Sequence, residues 1–389
     1  MDNVFIELYD DDGKILLPST NVPRNITPLH LSKLINLKST FYLNGQPIVS
    51  SLDDTLKHQN INEFENILKI KTAPNEDKVD GNFCSDAYSG HEAAILCINS
   101  NNNLLVTGGG DSTVRFWCDL TKTQKKIVKN HTGVIYSLIS DDEHVFSGGS
   151  DGKIVIYNYK GEAIKEIQAH NKGVICLQLM DKLIISGGRD NYVKVFKSNG
   201  ECAFNYSHNK PITCIATSDE YIYSGSRDGK VKAFKNFTHH KELNHPASVN
   251  CLAVHGEYLI VGCENGMVYC YNNFSLARTL NLCQPVMSLS ISKNGMFFCT
   301  GSFNRKVQIY CLENQNMIGE YSHTAAVYKV YCGSDRVVSC GRDGCLMVYD
   351  LGLKTVKSRF FCGDELYDFA IYKKGVVCGG KDRKLYFLG

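Results

Sequence analysis

The stretch Leu104–Cys118, LLVTGGGDSTVRFWC, decides the fold of this chain. It reads as an apolar strand, a glycine-rich turn that closes on Asp111, and a second strand that ends at Trp117, the only tryptophan in the sequence. A Gly-His pair, Gly90-His91, precedes the stretch at the start of another apolar strand. A Gly-His pair followed by a turn aspartate and a tryptophan is typical of one blade of a β-propeller.

The same pattern recurs through the rest of the chain. Each copy has a small residue, an Asp or Asn four positions later, and in most cases an aromatic residue six positions after that. The copies are Thr107/Asp111/Trp117, Ser147/Asp151/Tyr157, Ser186/Asp190/Phe196, Ser224/Asp228/Phe234, Val261/Asn265/Tyr271, Thr300/Asn304/Tyr310, Ser339/Asp343/Tyr349 and Cys378/Asp382/Leu388. The Asp or Asn advances by 37 to 40 residues from copy to copy. Four short strands with tight turns require this length, so the sequence predicts eight blades.

Each copy also has a residue at the start of its first strand: His91, His131, His170, His208, His245, Cys283, His323 and Cys362. A histidine and the turn aspartate can hydrogen-bond, and a Ser or Thr hydroxyl and the tryptophan N–H can complete a buried network. We predict five such structural networks, formed by His91, Thr107, Asp111 and Trp117, by His131, Ser147 and Asp151, by His170, Ser186 and Asp190, by His208, Ser224 and Asp228, and by His323, Ser339 and Asp343. A tyrosine at the tryptophan position can keep part of the network. The fifth, sixth and eighth copies lack one of the polar groups and should form less stable blades.

Composition indicates a soluble globular protein. The chain has 389 residues, 43% of them hydrophobic, and a net charge of +2, which by itself does not favour nucleic acid or an anionic membrane. No apolar run reaches the roughly 18 residues of a membrane span, and the start lacks the features of a secretory signal. The 17 cysteines include no C-x-x-C pair, which favours small buried strand positions in a reducing compartment over disulfides or zinc. Near-identical His/Ser/Asp sets in repeated copies favour architecture over catalysis, so we predict no enzymatic activity.

The first 73 residues follow a different pattern. Two strands are predicted within residues 3–17, and Thr27-Pro28 supplies a capping hydroxyl and a proline at the first helical position. A strand, a tight turn and a strand follow within residues 41–49, and a last strand covers residues 67–71. This order predicts a small α+β ubiquitin-like (β-grasp) domain over residues 1–73.

The chain between and after these patterns sets the domain boundaries. Residues 74–81 are polar and contain proline and glycine, as expected of a linker. We assign residues 82–389 to the propeller. The last copy has no outer strand of its own, so residues 82–89 are predicted to complete that blade and close the ring.

Two basic clusters could contact an RNA backbone. One consists of Lys122, Lys125 and Lys126 on the outer region of the first blade, and the other of Lys381, Arg383 and Lys384 near the ring closure. A solvated rim is the better explanation of either cluster alone, and the RNA contact is a hypothesis for the two together.

Several segments resemble the Notchless family of WD40 ribosome-assembly factors. They are FYLNGQPIVSSLDDTL (41–56), TGGGDSTVRFW (107–117), HTAAVYKV (323–330) and DELYDFAIYKKGVVCGGKDRKLYFL (364–388). The resemblance implies an amino-terminal ubiquitin-like (NLE) domain, an eight-bladed WD40 β-propeller and a role in assembly of the large ribosomal subunit (pre-60S). It also implies residence in the nucleus and nucleolus, as a monomer within a large particle that holds pre-60S ribosomal proteins, assembly factors and rRNA, with no membrane partner. The sequence departs from the family in having Tyr, Phe or Leu at most tryptophan positions.

The resemblance also implies a metal-dependent contact. In this family the ubiquitin-like domain docks on the metal-dependent adhesion site of Midasin, an AAA+ ATPase, and one glutamate completes the coordination of Mg²⁺ there. Glu65, at the head of ENILKIKTAP (65–74), matches the family position, and Glu63 is the alternative. A carboxylate oxygen suits an open octahedral position on Mg²⁺. The chain is then expected to hold no cofactor of its own and to share Mg²⁺ at the Midasin interface.

Two other functions stay open. One is a sister assembly factor that carries the same kind of NLE domain and acts on an earlier ribosomal precursor. The other is a WD40 substrate adaptor of a ubiquitin ligase, with the first domain as a ubiquitin mimic. The Ala73-Pro74 junction lacks the free Gly-Gly tail of ubiquitin, which argues against conjugation chemistry.

Overall fold

The computed structural model describes most of the chain. The described residues are 3–9, 15–23, 25–35, 39–43, 46–48, 51–58, 68–74, 84–101, 104–118, 121, 123–372 and 375–388. Glu63, Glu65 and Lys122 lie outside them. The described strands and helices form two units, one that ends at Pro74 and one that begins at Cys84.

The amino-terminal unit is a five-stranded sheet with two helices. Its elements are β1 (Asn3–Tyr9), β2 (Ile15–Pro23), α1 (Pro28–Ile35), β3 (Ser39–Leu43), β4 (Gln46–Pro47), α2 (Leu52–His58) and β5 (Leu68–Pro74). The strand order is β2-β1-β5-β3-β4, with β1 and β5 parallel and the other neighbours antiparallel. The sequence analysis did not predict α2. Neither described helix, of eight and seven residues, is long and apolar enough to cross a membrane.

The core of this unit follows the alternation of its strands. Val4, Ile6 and Leu8 on β1 are buried, whereas Phe5 between them is exposed. Successive side chains of a strand point to opposite faces, so the buried set faces one side of the sheet. Leu31 of α1 packs in the same apolar cluster. The helix therefore covers the apolar face of the sheet.

The second unit contains eight antiparallel sheets of four strands, one per predicted blade. Blades 1 to 4 are β7 (Ile95–Asn101), β8 (Leu104–Gly109), β9 (Val114–Cys118), β10 (Gln124–Val128); β11 (Ile135–Ser140), β12 (His144–Gly149), β13 (Lys153–Asn158), β14 (Ala163–Gln168); β15 (Val174–Met180), β16 (Leu183–Gly188), β17 (Tyr192–Phe196), β18 (Cys202–Ser207); and β19 (Ile212–Thr217), β20 (Tyr221–Ser226), β21 (Lys230–Lys235), β22 (Thr238–Asn244).

Blades 5 to 8 repeat this arrangement and complete the ring. They are β23 (Val249–His255), β24 (Tyr258–Cys263), β25 (Met267–Asn272), β26 (Ser275–Asn281); β27 (Val286–Ile291), β28 (Phe297–Ser302), β29 (Lys306–Cys311), β30 (Met317–Ser322); β31 (Val327–Cys332), β32 (Arg336–Gly341), β33 (Cys345–Asp350), β34 (Thr355–Phe361); and β35 (Leu366–Tyr372), β36 (Gly375–Gly380), β37 (Lys384–Leu388) with β6 (Cys84–Ser89). The first strands of successive blades contact one another in an unbroken cycle, β35 against β7 included. The eight blades therefore form a closed ring.

Strand β6 supplies the outer strand of blade 8. It pairs antiparallel with β37, with Ser89 opposite Lys384 and Cys84 opposite Leu388. The ring of Tyr88 meets the edge of Phe387 at 5.7 Å between centroids. The strand that closes the ring therefore comes from the amino-terminal end of the propeller.

Side chains on the inner strands link each blade to the next. The third residue of the first strand is Cys97, Ser137, Cys176, Cys214, Cys251, Ser288, Lys329 and Asp368 in blades 1 to 8. Ser288 accepts a hydrogen bond from the Val330 amide of blade 7 (3.2 Å). Asp368 accepts one from the Ile98 amide of blade 1 (2.6 Å) and pairs with Lys329 of blade 7. One carboxylate thus ties the closing blade to both of its neighbours.

We expect Asp368→Ala to lower the free energy of unfolding by about 1–3 kcal/mol, because it leaves the buried Ile98 amide without an acceptor. The lost ion pair adds little, since the Lys329 side chain is 37% exposed and can reach water. Asp368→Asn keeps an acceptor and should cost less, as should Ser288→Ala. Urea titrations that rank Ser288→Ala as the most damaging would show that the carboxylate has no special part in closure.

Candidate functional site

The first blade brings together the four side chains that the repeat pattern predicts. His91 Nδ1 lies 2.9 Å from Asp111 Oδ2, and His91 Nε2 lies 2.8 Å from Thr107 Oγ1. Trp117 Nε1 donates to the same Thr107 oxygen at 2.9 Å. One arrangement of protons satisfies every group: Trp117 donates to Thr107, Thr107 donates to Nε2, and Nδ1–H donates to Asp111. The histidine is therefore neutral in this network.

Glycine at position 109 is required by the same network. A Cβ atom added to Gly109 would lie 2.4 Å from His91 Nδ1 and 2.6 Å from Asp111 Oδ1. Real contacts of a Cβ are never this close, so a larger residue must displace the imidazole or the carboxylate. In blade 4, where Ser226 takes this position, the histidine lies 3.2 Å from Asp228, farther than in the other four networks. Gly149, Gly188 and Gly341 take this position in blades 2, 3 and 7, so four of the five complete networks have glycine there.

Four more blades repeat this arrangement. In blades 2, 3, 4 and 7 the histidine Nδ1 lies 3.0, 2.8, 3.2 and 3.0 Å from the turn aspartate. Nε2 lies 2.7 to 2.8 Å from the serine hydroxyl. The groups are His131, Asp151 and Ser147; His170, Asp190 and Ser186; His208, Asp228 and Ser224; and His323, Asp343 and Ser339. All sixteen residues predicted to form networks lie in them.

In blades 4 and 7 a tyrosine that was not predicted from the sequence takes the role of the tryptophan N–H. Tyr206 donates its hydroxyl to Ser224 at 3.0 Å, and Tyr321 donates to Ser339 at 2.8 Å. Each tyrosine stands two residues before its histidine and stacks on the aromatic residue at the tryptophan position, Phe234 or Tyr349. The repeated Tyr-Ser-His sequence at 206–208 and 321–323 was the available signal. In blade 7 the bond to serine therefore comes from this tyrosine, not from the tryptophan position.

Blade 5 keeps its histidine but gives it other partners. His245 Nδ1 lies 3.1 Å from the Gly229 carbonyl, and Nε2 lies 3.0 Å from the Tyr271 hydroxyl. Asn265 accepts a hydrogen bond from the Met267 amide of its own turn, and among the described residues none joins it to His245. Val261 has no hydroxyl to bond the histidine. Tyr271, at the tryptophan position, bonds His245 directly and so keeps part of the network.

The prediction for blade 6 was wrong by one residue. The buried Leu282, not the exposed Cys283, takes the histidine position, since its amide donates to Gly266 as the His245 amide does to Gly229. The buried Thr300 hydroxyl then has no hydrogen-bond partner among the described residues. In blade 8, Cys362 lies 3.7 Å from Cys378, and Asp382 accepts a hydrogen bond from Tyr386.

Burial and hydrogen bonding set the charge of these networks. Burial lowers the pKa of His91, His170, His208 and His245. Burial would raise the pKa of the Asp111 carboxyl, but hydrogen bonds from Thr113, the Glu92 amide and His91 outweigh it and lower that pKa to about 2. Near neutral pH the histidines are therefore neutral and the aspartate is ionised. Such a pair is built for rigidity, because the base is already bonded on both nitrogens.

We expect the melting temperature to fall as the pH is lowered from about 7 to about 5. In the unfolded chain each histidine takes up a proton below its ordinary pKa of 6.5, whereas the four buried histidines resist it. Protonation therefore favours the unfolded state. Protonation of Asp111 lowers the stability further only below the ordinary aspartate pKa of 3.8. Thermal melts across a pH series measure this effect. His91→Gln should make the dependence shallower, and a melting temperature independent of pH would contradict the assignment.

Asp111→Ala is expected to lower the free energy of unfolding by roughly 1–3 kcal/mol, because His91, Thr113 and the Glu92 amide lose a buried acceptor. Asn265→Ala should cost less, since His245 has other partners and does not depend on Asn265. Urea titrations of the two variants give the comparison. The reverse order would mean that blade 5 depends on Asn265 in another way.

The predicted basic clusters lie on different parts of the ring. Lys125 and Lys126 are on the outer strand β10 of blade 1, and the other three residues follow β36 in blade 8. Lys381 lies 3.5 Å from both Asp364 and Glu365, and Arg383 donates to the Glu92 carbonyl. Lys384 is exposed. Nearby carboxylates therefore offset part of the positive charge of the second cluster.

A basic cavity that the sequence analysis missed lies between blades 3 and 4. It has a volume of about 340 Å³ and is lined by Ile175, Arg189, Pro211, Ile212, Thr213 and Arg227. The Arg189 guanidinium lies over the ring of Tyr136 at 5.0 Å. Neither arginine pairs with a carboxylate in the described part of the chain. The sequence signal was the repeat of His-Asn-Lys and Arg-Asp in both blades. Two exposed guanidinium groups at one cavity suit an anionic ligand.

Two protein families and a solved structure match this chain in part. Residues 82–118 and 275–311 match the family described as WD domain, G-beta repeat, and residues 123–234 match the IP5P C-F beta-propeller family. The structure of Chaetomium thermophilum Sqt1 bound to the N-terminus of ribosomal protein L10 aligns with a TM-score of 0.72 at 17% identity, over 80% of this chain and 100% of that chain. The ring is a WD40-repeat propeller.

Sequence relatives match parts of the chain. The p21-activated protein kinase-interacting protein 1-like of Danio rerio is 30% identical over 122 residues, 30% of this chain and 33% of that protein. Cell division control protein 4 of Candida albicans is 30% identical over 115 residues, 28% of this chain and 17% of that protein. The Notchless protein homolog of Arabidopsis thaliana is 26% identical over 131 residues, 30% of this chain and 27% of that protein. The chain thus spans a third or less of the length of these relatives.

Proposed function

We propose that the chain is an assembly factor of the large ribosomal subunit that acts by binding, without catalysis. The observation that carries this proposal is a five-stranded amino-terminal sheet followed by an eight-bladed WD40 propeller whose segments resemble the Notchless family. Partial similarity to a Notchless protein homolog and a fold shared with Sqt1, seen bound to a ribosomal protein, support the same role. The nucleus and nucleolus are the proposed location.

In this proposal, residues 1–73 are a ubiquitin-like (NLE) domain. Support comes from the parallel pair β1 and β5 at the centre of a mixed sheet and from α1, which follows the first hairpin and packs Leu31 into the sheet's core. This order supports a β-grasp. The domain docks on the metal-dependent adhesion site of Midasin, where Glu65, or alternatively Glu63, completes the Mg²⁺ coordination. The chain itself holds no cofactor.

The WD40 propeller is proposed to hold the pre-60S particle through ribosomal proteins, assembly factors and rRNA. The five rigid networks keep the turns that join the strands in fixed positions, as a multi-partner binding surface requires. Lys125, Lys126 and Lys384 are candidate contacts to rRNA phosphates, with Lys122 as a further candidate. ATP hydrolysis by Midasin would then pull on the first domain and release the factor.

Co-sedimentation of the tagged chain with large-subunit precursors tests this function. We expect the chain in gradient fractions with pre-60S particles, and a loss from them after brief RNase treatment only if rRNA is the main contact. An earlier precursor in place of pre-60S would favour the sister assembly factor. A chain that stays at the top of the gradient would exclude both assembly roles.

An adaptor of a ubiquitin ligase is the second candidate. The cavity of Arg189 and Arg227 favours it, because two exposed guanidinium groups suit an acidic or phosphorylated substrate segment. The partial similarity to cell division control protein 4 points in the same direction. Arg189→Glu with Arg227→Glu should abolish substrate capture by an adaptor and should leave sedimentation with ribosomal precursors unchanged if the cavity serves no ribosomal contact.

A further inference from the structure

A larger cavity lies between blades 4 and 5, at the ends of the strands away from the histidine networks. It has a volume of about 490 Å³ and is formed by the β19–β20 and β23–β24 turns and by the turn before β26. Three aromatic side chains wall it: Tyr221, Tyr223 and Phe274. The Phe274 ring meets Tyr221 edge-on at 5.4 Å and lies stacked against Tyr223 at 6.0 Å.

The turn that carries Phe274 is held in a conformation that L-residues rarely adopt. Asn273 has φ of 45° and Phe274 has φ of 60°. A phenylalanine in this region is strained, so packing must hold it there. The Phe274 ring packs on blade 4, and the Asn273 amide donates to the Glu257 carbonyl at 3.0 Å. The aromatic wall is therefore formed before any ligand arrives.

Carboxylates border the same cavity. Glu220 accepts a hydrogen bond from Lys235 at 2.7 Å, and that ammonium lies 5.2 Å from the centre of the Tyr221 ring. Asp219 and Glu257 are exposed and have no ion-pair partner within the part of the chain that the structure describes. Tyr221 and Glu220 thus already hold one cation between a ring and a carboxylate, although Lys235 does not itself line the cavity.

We propose that this cavity binds an arginine side chain from a basic segment of a partner protein. A guanidinium can stack on an aromatic face while its N–H groups bond two carboxylates, and Tyr221, Asp219 and Glu257 supply these groups. The cavity volume falls within the range of about 300–1,000 Å³ seen for ligand sites and leaves room for the neighbouring peptide atoms. The site needs neither Glu65 nor the anionic ligand of the Arg189 cavity, so it stands apart from the proposed function.

Calorimetric titration of the full-length chain with acetyl-Gly-Arg-Gly-Arg-Gly-amide tests the proposal. We expect saturable binding, which Asp219→Asn combined with Glu257→Gln should weaken about fivefold or more. Both changes are on exposed side chains, so folding should be unaffected. Tyr221→Leu, which removes the ring but fills much of its space, should weaken binding to a similar extent.

The chain offers a matched control in blade 2. Asp142 and Glu143 occupy the same strand-connecting turn there, also exposed, but do not line the cavity. Asp142→Asn with Glu143→Gln removes the same charge and should leave the affinity unchanged. Equal losses in both double variants would show general electrostatic attraction and overturn the site. Absence of saturable binding, or equal affinity for the peptide with citrulline in place of arginine, would also overturn it.

Discussion

A chain without residues 1–89 is expected to have an open eighth blade and a destabilised propeller, whereas a chain without residues 1–76 should keep its ring folded. The longer deletion removes β6, the outer strand of blade 8, and leaves the amides and carbonyls of β37 unpaired along Lys384–Leu388. It also removes the Tyr88 ring from Phe387, so that an apolar edge faces water. The shorter deletion removes the first domain and retains the closing strand.

Thermal melts followed by circular dichroism compare the two deletions. We expect the melting temperature of the longer deletion to lie lower by roughly 10 °C or more, with earlier proteolysis near blade 8. Addition of a synthetic peptide of residues 82–89 should restore part of the difference, because it can pair with β37. Equal melting temperatures of the two deletions would mean that the pairing of β6 with β37 contributes little to the ring.

Glu65→Asp and Glu65→Gln are each expected to abolish binding to Midasin. The Asp variant draws the carboxylate back by one methylene. Mg²⁺ requires ligand distances of about 2.0–2.1 Å in a near-octahedral shell, so the shortened side chain can no longer reach the metal. The Gln variant keeps the length and removes the negative charge. Neither change should alter folding or association with ribosomal precursors, so particles should accumulate with the factor attached.

A pull-down with the metal-site domain of Midasin, with and without chelator, measures this contact. Glu63→Gln is the matched control and should have a mild effect. If Glu63→Gln abolishes binding and the Glu65 variants do not, Glu63 is the ligand. Binding that survives both Glu65 variants and chelation would remove metal coordination from the interaction.

Repetition explains how much of the ring could be predicted from the sequence. In the five blades with a complete network the turn aspartate bonds the histidine, the amide after it and an amide of its own turn, so its spacing marks the blade even where tryptophan has become Tyr or Phe. The closing strand could be placed because a blade without an outer strand leaves an unpaired edge. Leu282 was missed because the connection between β27 and β28 is longer than in the neighbouring blades. The histidine position of blade 6 therefore lies farther before Asn304 than the repeat spacing predicts.

The remaining features depend on contacts between blades, which no single repeat contains. Tyr206 replaces the tryptophan N–H from a different strand, so the position that the repeat marks is not the one that donates. The two cavities arise where turns of adjacent blades meet, and their charge follows from loop residues that vary from copy to copy. Glu65 was assigned by resemblance alone and lies outside the described residues.

The pairing of β6 with β37 has a consequence for synthesis of the chain. The closing strand β6 is the first strand of the propeller to leave the ribosome, and its partner β37 follows about 300 residues later, a delay of roughly 15–60 s at ordinary translation rates. During this interval Cys84–Ser89 has no strand to pair with, and the blades that have already folded belong to an incomplete ring. Contacts this distant in sequence make folding slow and favour aggregation. We expect the nascent chain to depend on a chaperone until its last strand emerges.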